Sequence, residues 1–522
     1  MTIYQQGSIN TAALVVPDLY VQIVAPQNLV LNGVPTNLIG VVGSASWGPV
    51  NQPVIAGSMA DYAAAFGPVV VRKYDMGTQV ATAVQQGASG FRCVRVTDGT
   101  DTAAGYSIGL NSGVYAVLLT ARYTGSVGNT VTMSLTAGSQ MSTWKLTVAK
   151  PGSLPEVFDN IAAPTPNAFW SNLVSAVNNG TGPLRGNSQV IVATPGSANT
   201  TAPAAIFPPQ RLLGGTDGAA AVTAATLVGQ DIVPRQGMYA LRGQGCSIGL
   251  LADSDDPTEW VTQAGFGASE GVYMILTGPA GDTINDAVAV IQQAGLNATS
   301  AKLMFGDWVY WSDQTNGVIR IVSPQGFVAG RLGNLSPEQS SLNKPLYSVI
   351  GTQRSGLPGS GQVATYSEAE LQALFRAGID VIANPQPGGA YWGVRCGHNT
   401  SGNQAVNGDN YSRMTNFIAA TLAAGMGPFV GKVINAQLFQ QIRSTQLSFL
   451  QTLLNQGILG VTQAGQLPFS VICDISNNPF AQTSLGYVQS DAQVQYQGIN
   501  EKFIVNVEGG QTVVVQQQIL PS

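Results

Sequence analysis

Strand and helix signals alternate along two separated stretches of this 522-residue chain, and such alternation restricts the fold to an α/β layer with parallel strands. In the first stretch, residues 35–105, the apolar run Leu38-Ile39-Gly40-Val41-Val42 predicts a strand. A helix follows that starts after Ser58 and stops at Gly67, and a second helix runs through Gln79–Val84. In the second stretch, residues 216–400, strands at Ile248–Leu251, Val272–Leu276 and Leu303–Phe305 alternate with a helix around Ala287–Ala294. Ser367-Glu368-Ala369-Glu370 reads as a capping box opening a helix that Gly378 ends, with a strand over Ile379–Ile382 behind it.

Two further regions break the pattern. Residues 106–215 are rich in Gly, Ser, Thr and Asn, and carry short alternating runs at Val131–Leu135 and Trp144–Val148, so they predict a β-rich insert. Residues 401–500 predict an α+β unit. Its long helix runs from about Asn435 to Gly457 with Leu438, Ile442, Phe449, Leu450, Leu453 and Leu454 on one face, and two or three strands follow.

Both ends carry apolar strand-like runs, predicted as arms over residues 1–34 and 501–522. The first is Leu19-Tyr20-Val21-Gln22-Ile23-Val24, closed by Pro26; the second is Phe503-Ile504-Val505-Asn506-Val507, followed by Gly509-Gly510 and Val513-Val514-Val515. Terminal residues fray unless tied down, so strand formers at both ends ask for a partner sheet. That sheet belongs either to the chain's own core or to a neighbouring copy joined by strand addition.

Charged residues are 9% of the chain, against about 25% in an ordinary soluble protein. Protein interfaces are depleted in Lys, Glu and Asp, so a surface this poor in charge predicts cover by other subunits. The net charge is -5 and no basic tract is interleaved with aromatics, which argues against direct nucleic-acid contact. The start lacks a basic, apolar leader and no run approaches 18 apolar residues, so neither export by that route nor membrane insertion is expected. Cys93, Cys246, Cys396 and Cys473 have no metal-ligand spacing and read as core residues of a chain made in a reducing cytoplasm.

Possible reaction chemistry is thin. Gly245-Cys246-Ser247-Ile248-Gly249 has the G-x-S-x-G pattern of serine hydrolases, but so does Gly267-Ala268-Ser269-Glu270-Gly271, as chance hits in a Gly- and Ser-rich chain would. After both serines the sequence reads as strand, where a nucleophile elbow needs a helix. His398, the one histidine, is the single imidazole available as a base. Asp253, Asp255 and Asp256 lack the turn glycine and terminal glutamate of a calcium loop and read as a solvated, helix-capping cluster. Gly431-Lys432 lacks the upstream glycine of a phosphate loop. No catalytic residue, cofactor or metal is therefore assigned, and a secreted hydrolase using Ser247 is the alternative of a different class.

Taken in order, several segments resemble the tail sheath protein of contractile-tailed bacteriophages. They are Val16-Pro17-Asp18-Leu19-Tyr20-Val21; Pro35–Gly43; Trp47-Gly48-Pro49-Val50-Asn51-Gln52-Pro53-Val54 with the Asp61–Gly67 helix; Tyr123–Asn129; the Gly214–Gly218 turn; Phe327-Val328-Ala329-Gly330; Tyr391-Trp392-Gly393; and Cys473-Asp474 to Asn478-Pro479. The chain departs from that pattern at Val394-Arg395-Cys396 and at Leu332-Gly333-Asn334, where an acidic residue is expected.

The resemblance implies an α/β and α+β multidomain fold: a central, non-catalytic layer of subtilisin-like topology, a β-rich outer insert, an inner α+β C-terminal domain and extended terminal strand arms. It also implies a helical homo-oligomer around a tail tube protein, with baseplate and tail terminator proteins as further partners. Such a sheath assembles in the bacterial host cytoplasm, becomes part of the virion, and contracts to drive the tube through the bacterial envelope for genome ejection. The arm residues Leu19, Tyr20, Val21, Ile23, Phe503, Ile504, Val505, Val507, Val513, Val514 and Val515 would reach neighbouring subunits, and Lys432, Arg443 and Lys502 are the candidate tube-facing cations. A bacteriocin or contractile injection system sheath is the alternative within this class.

Overall fold

The computed structural model describes residues 3–6, 20–23, 31–111, 114–183, 185–197, 206–362, 364–460 and 465–507. At the start, β1 (Ile3–Gln6) and β2 (Tyr20–Ile23) pair in parallel with each other. There follow β3 (Ile39–Gly43), β4 (Pro53–Ala56), α1 (Met59–Phe66), α2 (Met76–Gln85) and β5 (Phe91–Arg95). Ser58 caps α1 by accepting from the Asp61 N–H, and Asp75 caps α2 in the same way at Thr78.

The insert contains β6 (Gly105–Asn111), β7 (Val114–Ala121), β8 (Thr132–Ala137), β9 (Thr143–Ala149), β10 (Glu156–Ala162), α3 (Pro166–Asn179), β11 (Ile191–Pro195) and β12 (Ile206–Arg211). They form two antiparallel sheets, ordered β10-β9-β8-β12 and β11-β7-β6. A β-rich reading of this region leaves out α3, yet its sequence signals are local: Thr165 caps it, Pro166 opens it, and Phe169, Trp170, Leu173, Ala176 and Val177 fall on one buried face.

After the insert come α4 (Ala224–Val228), β13 (Ile248–Leu251), α5 (Trp260–Glu270), β14 (Tyr273–Thr277), α6 (Ile284–Ala294), β15 (Ala301–Met304), β16 (Val309–Asp313), β17 (Val318–Val322), α7 (Gln325–Gly333), β18 (Val349–Thr352), α8 (Glu368–Arg376), β19 (Ile379–Asp380), β20 (Ile382–Ala383) and β21 (Gly393–Val394). The stretches on either side of the insert build one seven-stranded sheet, ordered β19-β15-β14-β13-β3-β5-β4, in which only β4 runs antiparallel to its neighbour. Every residue of β3, β13, β14 and β15 is buried, as parallel strands covered on both faces require. Val41 faces a core shared with Tyr62, Phe66 and Phe327, and Val42 faces the opposite core with Trp260, Phe266 and Leu374.

Helices α2 and α7 cross so closely that a Cβ at Gly330 would sit 2.5 Å from the Ala83 backbone, which explains the glycine in Phe327-Val328-Ala329-Gly330. The neck of the insert is held by buried Arg95, which donates to the carbonyls of Gly48 (2.9 Å), Thr124 (2.7 Å) and Asp217 (3.1 Å). Arg72 bridges Asp75 (3.2 Å) and Asp217 (2.7 Å), so the Tyr123–Asn129 and Gly214–Gly218 motifs meet where the chain leaves and re-enters the core.

The predicted strand over Ile379–Ile382 is divided between two sheets. Asp380 Oδ1 accepts from the N–H groups of Val381 (2.8 Å) and Cys396 (2.9 Å), and this interrupts the ladder, so β19 stays in the large sheet while β20 pairs with β21. The last part of the chain holds α9 (Asp409–Met426), α10 (Ala436–Asn455), β22 (Phe469–Ile472), α11 (Phe480–Thr483) and β23 (Asp491–Val494). Asn435 caps α10, whose Phe449, Leu450 and Leu453 pack with Leu31, Phe417 and Val471, while Leu454 is only partly buried. All four cysteines are buried and free.

Candidate functional site

In an open α/β sheet, ligands bind at the carboxyl ends of the strands where strand order reverses. Here that point lies between β3 and β13, and the chain's own side chains fill it. Gln79 Nε2 donates to Asp253 Oδ1 (2.9 Å) and Ser323 Oγ (3.0 Å), its Oε1 accepts from the Gly326 N–H (2.8 Å), and Gln325 Oε1 accepts from the Asp253 N–H (2.9 Å). All are buried.

This corrects the reading of Asp253, Asp255 and Asp256 as one solvated cluster. Asp253 is a core residue, Asp255 pairs with Lys73 (2.9 Å), and Asp256 alone caps a short helical turn at Thr258. Burial, reinforced by the Asp75 charge, pushes the Asp253 carboxyl up to about 6. A carboxyl raised on folding contributes stability below its unfolded value near pH 4 that is lost as pH rises through its folded value. Unfolding free energy should therefore carry a negative slope from this group between about pH 4 and 6, at most ~1.4 kcal/mol per pH unit. Denaturant titrations across that window should show the slope removed in Asp253→Asn.

The hydrolase pattern does not assemble. Ser247 precedes β13, at the opposite end of the sheet from the filled crevice, and its Oγ donates to the Leu38 carbonyl (3.1 Å). Ser269 lies within α5 and donates to the Phe266 carbonyl (2.9 Å). His398 Nε2 is 2.8 Å from Glu501 and its Nδ1 is 3.2 Å from Asn407. Each group has a separate partner, and none of these contacts joins either serine to the imidazole.

The surface features with assembly geometry lie in the last hundred residues. Strands β22 and β23 form a two-stranded antiparallel sheet, and among the described residues neither outer edge has a partner. A two-stranded sheet is marginal alone and open edges invite strand addition. Nearby in sequence, Phe503, Ile504, Val505 and Val507 are 82%, 81%, 63% and 87% exposed and belong to no strand, so within one chain the predicted C-terminal strand is absent there. Val430, Val433, Ile475, Phe480, Leu485 and Tyr487 are also exposed. Lys432, Arg443 and Lys502 are exposed, with Lys432 Nζ 4.7 Å above the Phe429 ring. Of the N-terminal run, Tyr20, Val21 and Ile23 lie in β2 beside β1; Leu19 and Val513–Val515 fall outside the described residues.

Sequence reasoning missed a buried ionic cluster joining the large sheet to α9. Lys302 Nζ contacts Asp380 Oδ2 (2.5 Å), the His398 carbonyl (3.0 Å) and Asp409 Oδ2 (3.7 Å), and no part of its side chain is exposed. Burial alone would lower the Lys302 pKa, but the two carboxylates outweigh it and hold the ammonium charged. One turn along α9, Arg413 donates to the Leu335 carbonyl (2.7 Å), and burial lowers its pKa to about 10. The available signal was a lone cation inside the otherwise apolar strand Ala301-Lys302-Leu303-Met304.

No protein family matches the chain by sequence, and no curated protein does. Solved structures do. The sheath tail protein of Desulfitobacterium hafniense aligns over 87% of this chain and 93% of its own, at 15% identity and a TM-score of 0.58. The sheath tail protein of Listeria innocua aligns over 86% and 90%, at 14% identity and a TM-score of 0.59. This chain has the sheath-protein fold. The sheath of an extracellular contractile injection system, the PVC complex in its contracted state, spans 96% of this chain and 99% of its own at 10% identity and a TM-score of 0.53. At such identities the likeness is one of fold, and it takes in the sheath-fold core, the insert and the α+β part together.

Proposed function

We propose that this chain is the structural, non-enzymatic subunit of a contractile sheath that polymerises helically around an inner tube and drives it through a bacterial envelope by contracting. The observation that carries this reading is the sheath-protein fold along almost the whole chain, in a molecule with an open two-stranded sheet and a bare apolar C-terminal segment. The β22–β23 sheet is the acceptor, and the arm runs around Leu19–Ile23, Phe503–Val507 and Val513–Val515 of neighbouring copies are the donors. Thirty extended residues reach about 100 Å at most, so distance is no obstacle. Contraction is then a change of packing between bistable interfaces, with the energy stored at assembly. The seven-strand order supports a subtilisin-like reading of the central layer, and fold alone brings no chemistry with it.

Negative-stain microscopy of the purified protein tests the proposal: sleeves or tubes are expected, and a monodisperse enzyme-sized particle at every concentration overturns it. A phage virion, with baseplate and terminator proteins as partners, is the first setting. The likeness to the injection-system sheath favours a second, a tube-delivering particle without a genome, and capsid genes beside this one would separate them.

The exposed cations Lys432, Arg443 and Lys502 are read as a weak ionic contact with the tube. Weakness suits the mechanism, because an exposed pair contributes only ~0.2–1 kcal/mol and has to break during contraction. Neutralising Lys432 and Arg443 together should raise the ratio of contracted to extended particles, most clearly at low salt, because raised salt already screens the same contact in the wild type. Counting particles across a salt series checks this; an unchanged ratio at every salt concentration removes these residues from the tube face.

A further inference from the structure

The single histidine sits at the root of the exposed C-terminal segment. The chain after β23 is fastened step by step: the Gln495 N–H donates to the Pro468 carbonyl (2.7 Å), Tyr496 Oη lies 3.1 Å from Thr415 Oγ1 with its ring edge-on to Tyr411 at 5.5 Å, and Gln497 Nε2 donates to the Gly457 carbonyl (3.1 Å). The last fastening is Glu501 Oε1 against His398 Nε2 at 2.8 Å. Among the described residues, no hydrogen bond or ion pair holds 502–507. His398 is itself immobilised from behind. Its carbonyl accepts from Lys302, and the adjacent Gly397 N–H donates to Asp380 Oδ2 (2.7 Å).

We infer that the His398–Glu501 contact is a proton-operated clamp that sets where the C-terminal arm leaves the body of the subunit. Histidine is the side chain whose charge ordinarily changes between about pH 5 and 8. With a neutral ring, Asn407 Nδ2 donates to Nδ1 and the Nε2–H donates to Glu501. Because Glu501 is a carboxylate, that bond is charge-assisted already; when the ring takes a proton from solvent both partners are charged, which adds the small further attraction of an exposed ion pair, and the Asn407 amide turns its oxygen toward Nδ1. The ring has charged neighbours. Glu501 faces it directly; behind its backbone, Lys302 from β15 is set against Asp380 from β19 and Asp409 from α9, a net negative set; Arg395 precedes it and Lys502 follows Glu501 in the chain. Acid therefore tightens the arm root and alkali loosens it. The sheath reading is needed only to say what the released arm does.

The test uses the full-length protein, with spectra taken on its unassembled fraction, carrying a spin label at Ile504→Cys, selective because the four native thiols are buried. From pH 8 to pH 5.5 the immobilised fraction of the label should rise about two- to fivefold, the effect of an exposed ion pair. His398→Gln, which keeps a donor without the charge, should abolish the pH response, and Glu501→Gln should hold the fraction at or below its pH 8 value throughout. A label that ignores pH in the wild type, or one that responds equally in His398→Gln, overturns the clamp. Microscopy of the same samples separates the two readings: sleeves with a pH-insensitive label sink the clamp alone, and a pH-sensitive label with no sleeves at any pH sinks the sheath assignment alone.

Discussion

Deleting residues 503–522 is expected to leave a folded, soluble subunit that no longer polymerises. The described part of that segment is exposed, so its removal takes nothing from the buried cores. On the proposed sheath reading, its strand-forming side chains add instead to an open edge of a neighbour's β22–β23 sheet. An added strand of four residues makes about four main-chain hydrogen bonds at a net ~0.5–1.5 kcal/mol each, hence roughly 2–6 kcal/mol per contact. Losing that weakens each contact at least about 30-fold, and a helical polymer repeats the loss at every subunit. Circular dichroism should be unchanged while light scattering shows no growth; long sleeves formed by the truncated chain would show that the arm is not the connector.

Lys302→Met should cost about 3–5 kcal/mol of stability, the largest effect expected from any single substitution. The side chain is entirely buried between Asp380 and Asp409, and removing the ammonium leaves two carboxylates without their counter-charge in a medium that solvates them poorly. Backbone donors at Val381, Cys396 and Gly397 still serve Asp380, but Asp409 Oδ1 already has no partner and its Oδ2 would keep only Ser341. Because Asp409 opens α9, the damage should reach the junction between the large sheet and the C-terminal helices. Urea unfolding followed by tryptophan fluorescence would report it, and a loss below about 1 kcal/mol would mean that water reaches the cluster.

Sequence was most informative where a local rule decides the outcome. The Ser367–Glu370 capping box and the glycines after α1 and α8 appear where turn and cap chemistry placed them, because these bonds join residues three or four apart. The apolar strands of the large sheet were legible for the same reason: parallel strands buried on both faces need runs that are apolar at nearly every position. α3 was readable by those rules, but the polar texture of the insert obscured it. Spacing also showed the G-x-S-x-G pattern to be weak, and the partners of Ser247 and Ser269 agree.

Other features depend on residues far apart in the chain. Whether Asp253 is solvated or buried depends on Gln79, Ser323 and Gln325, which reach it only once α2 and α7 have crossed. Lys302 meets carboxylates 78 residues and more away, and a lone lysine in a strand does not announce them. The division of Ile379–Ile382 follows from where Cys396 arrives. By itself, then, the amino-acid order determined the capped helices α1, α8 and α10 and the apolar strands of the parallel core, and it predicted a strand at Phe503–Val507 that the single chain does not form. Only the tertiary structure decided which polar groups are buried together and that this last segment lies bare, since burial and strand pairing depend on the packing of distant elements.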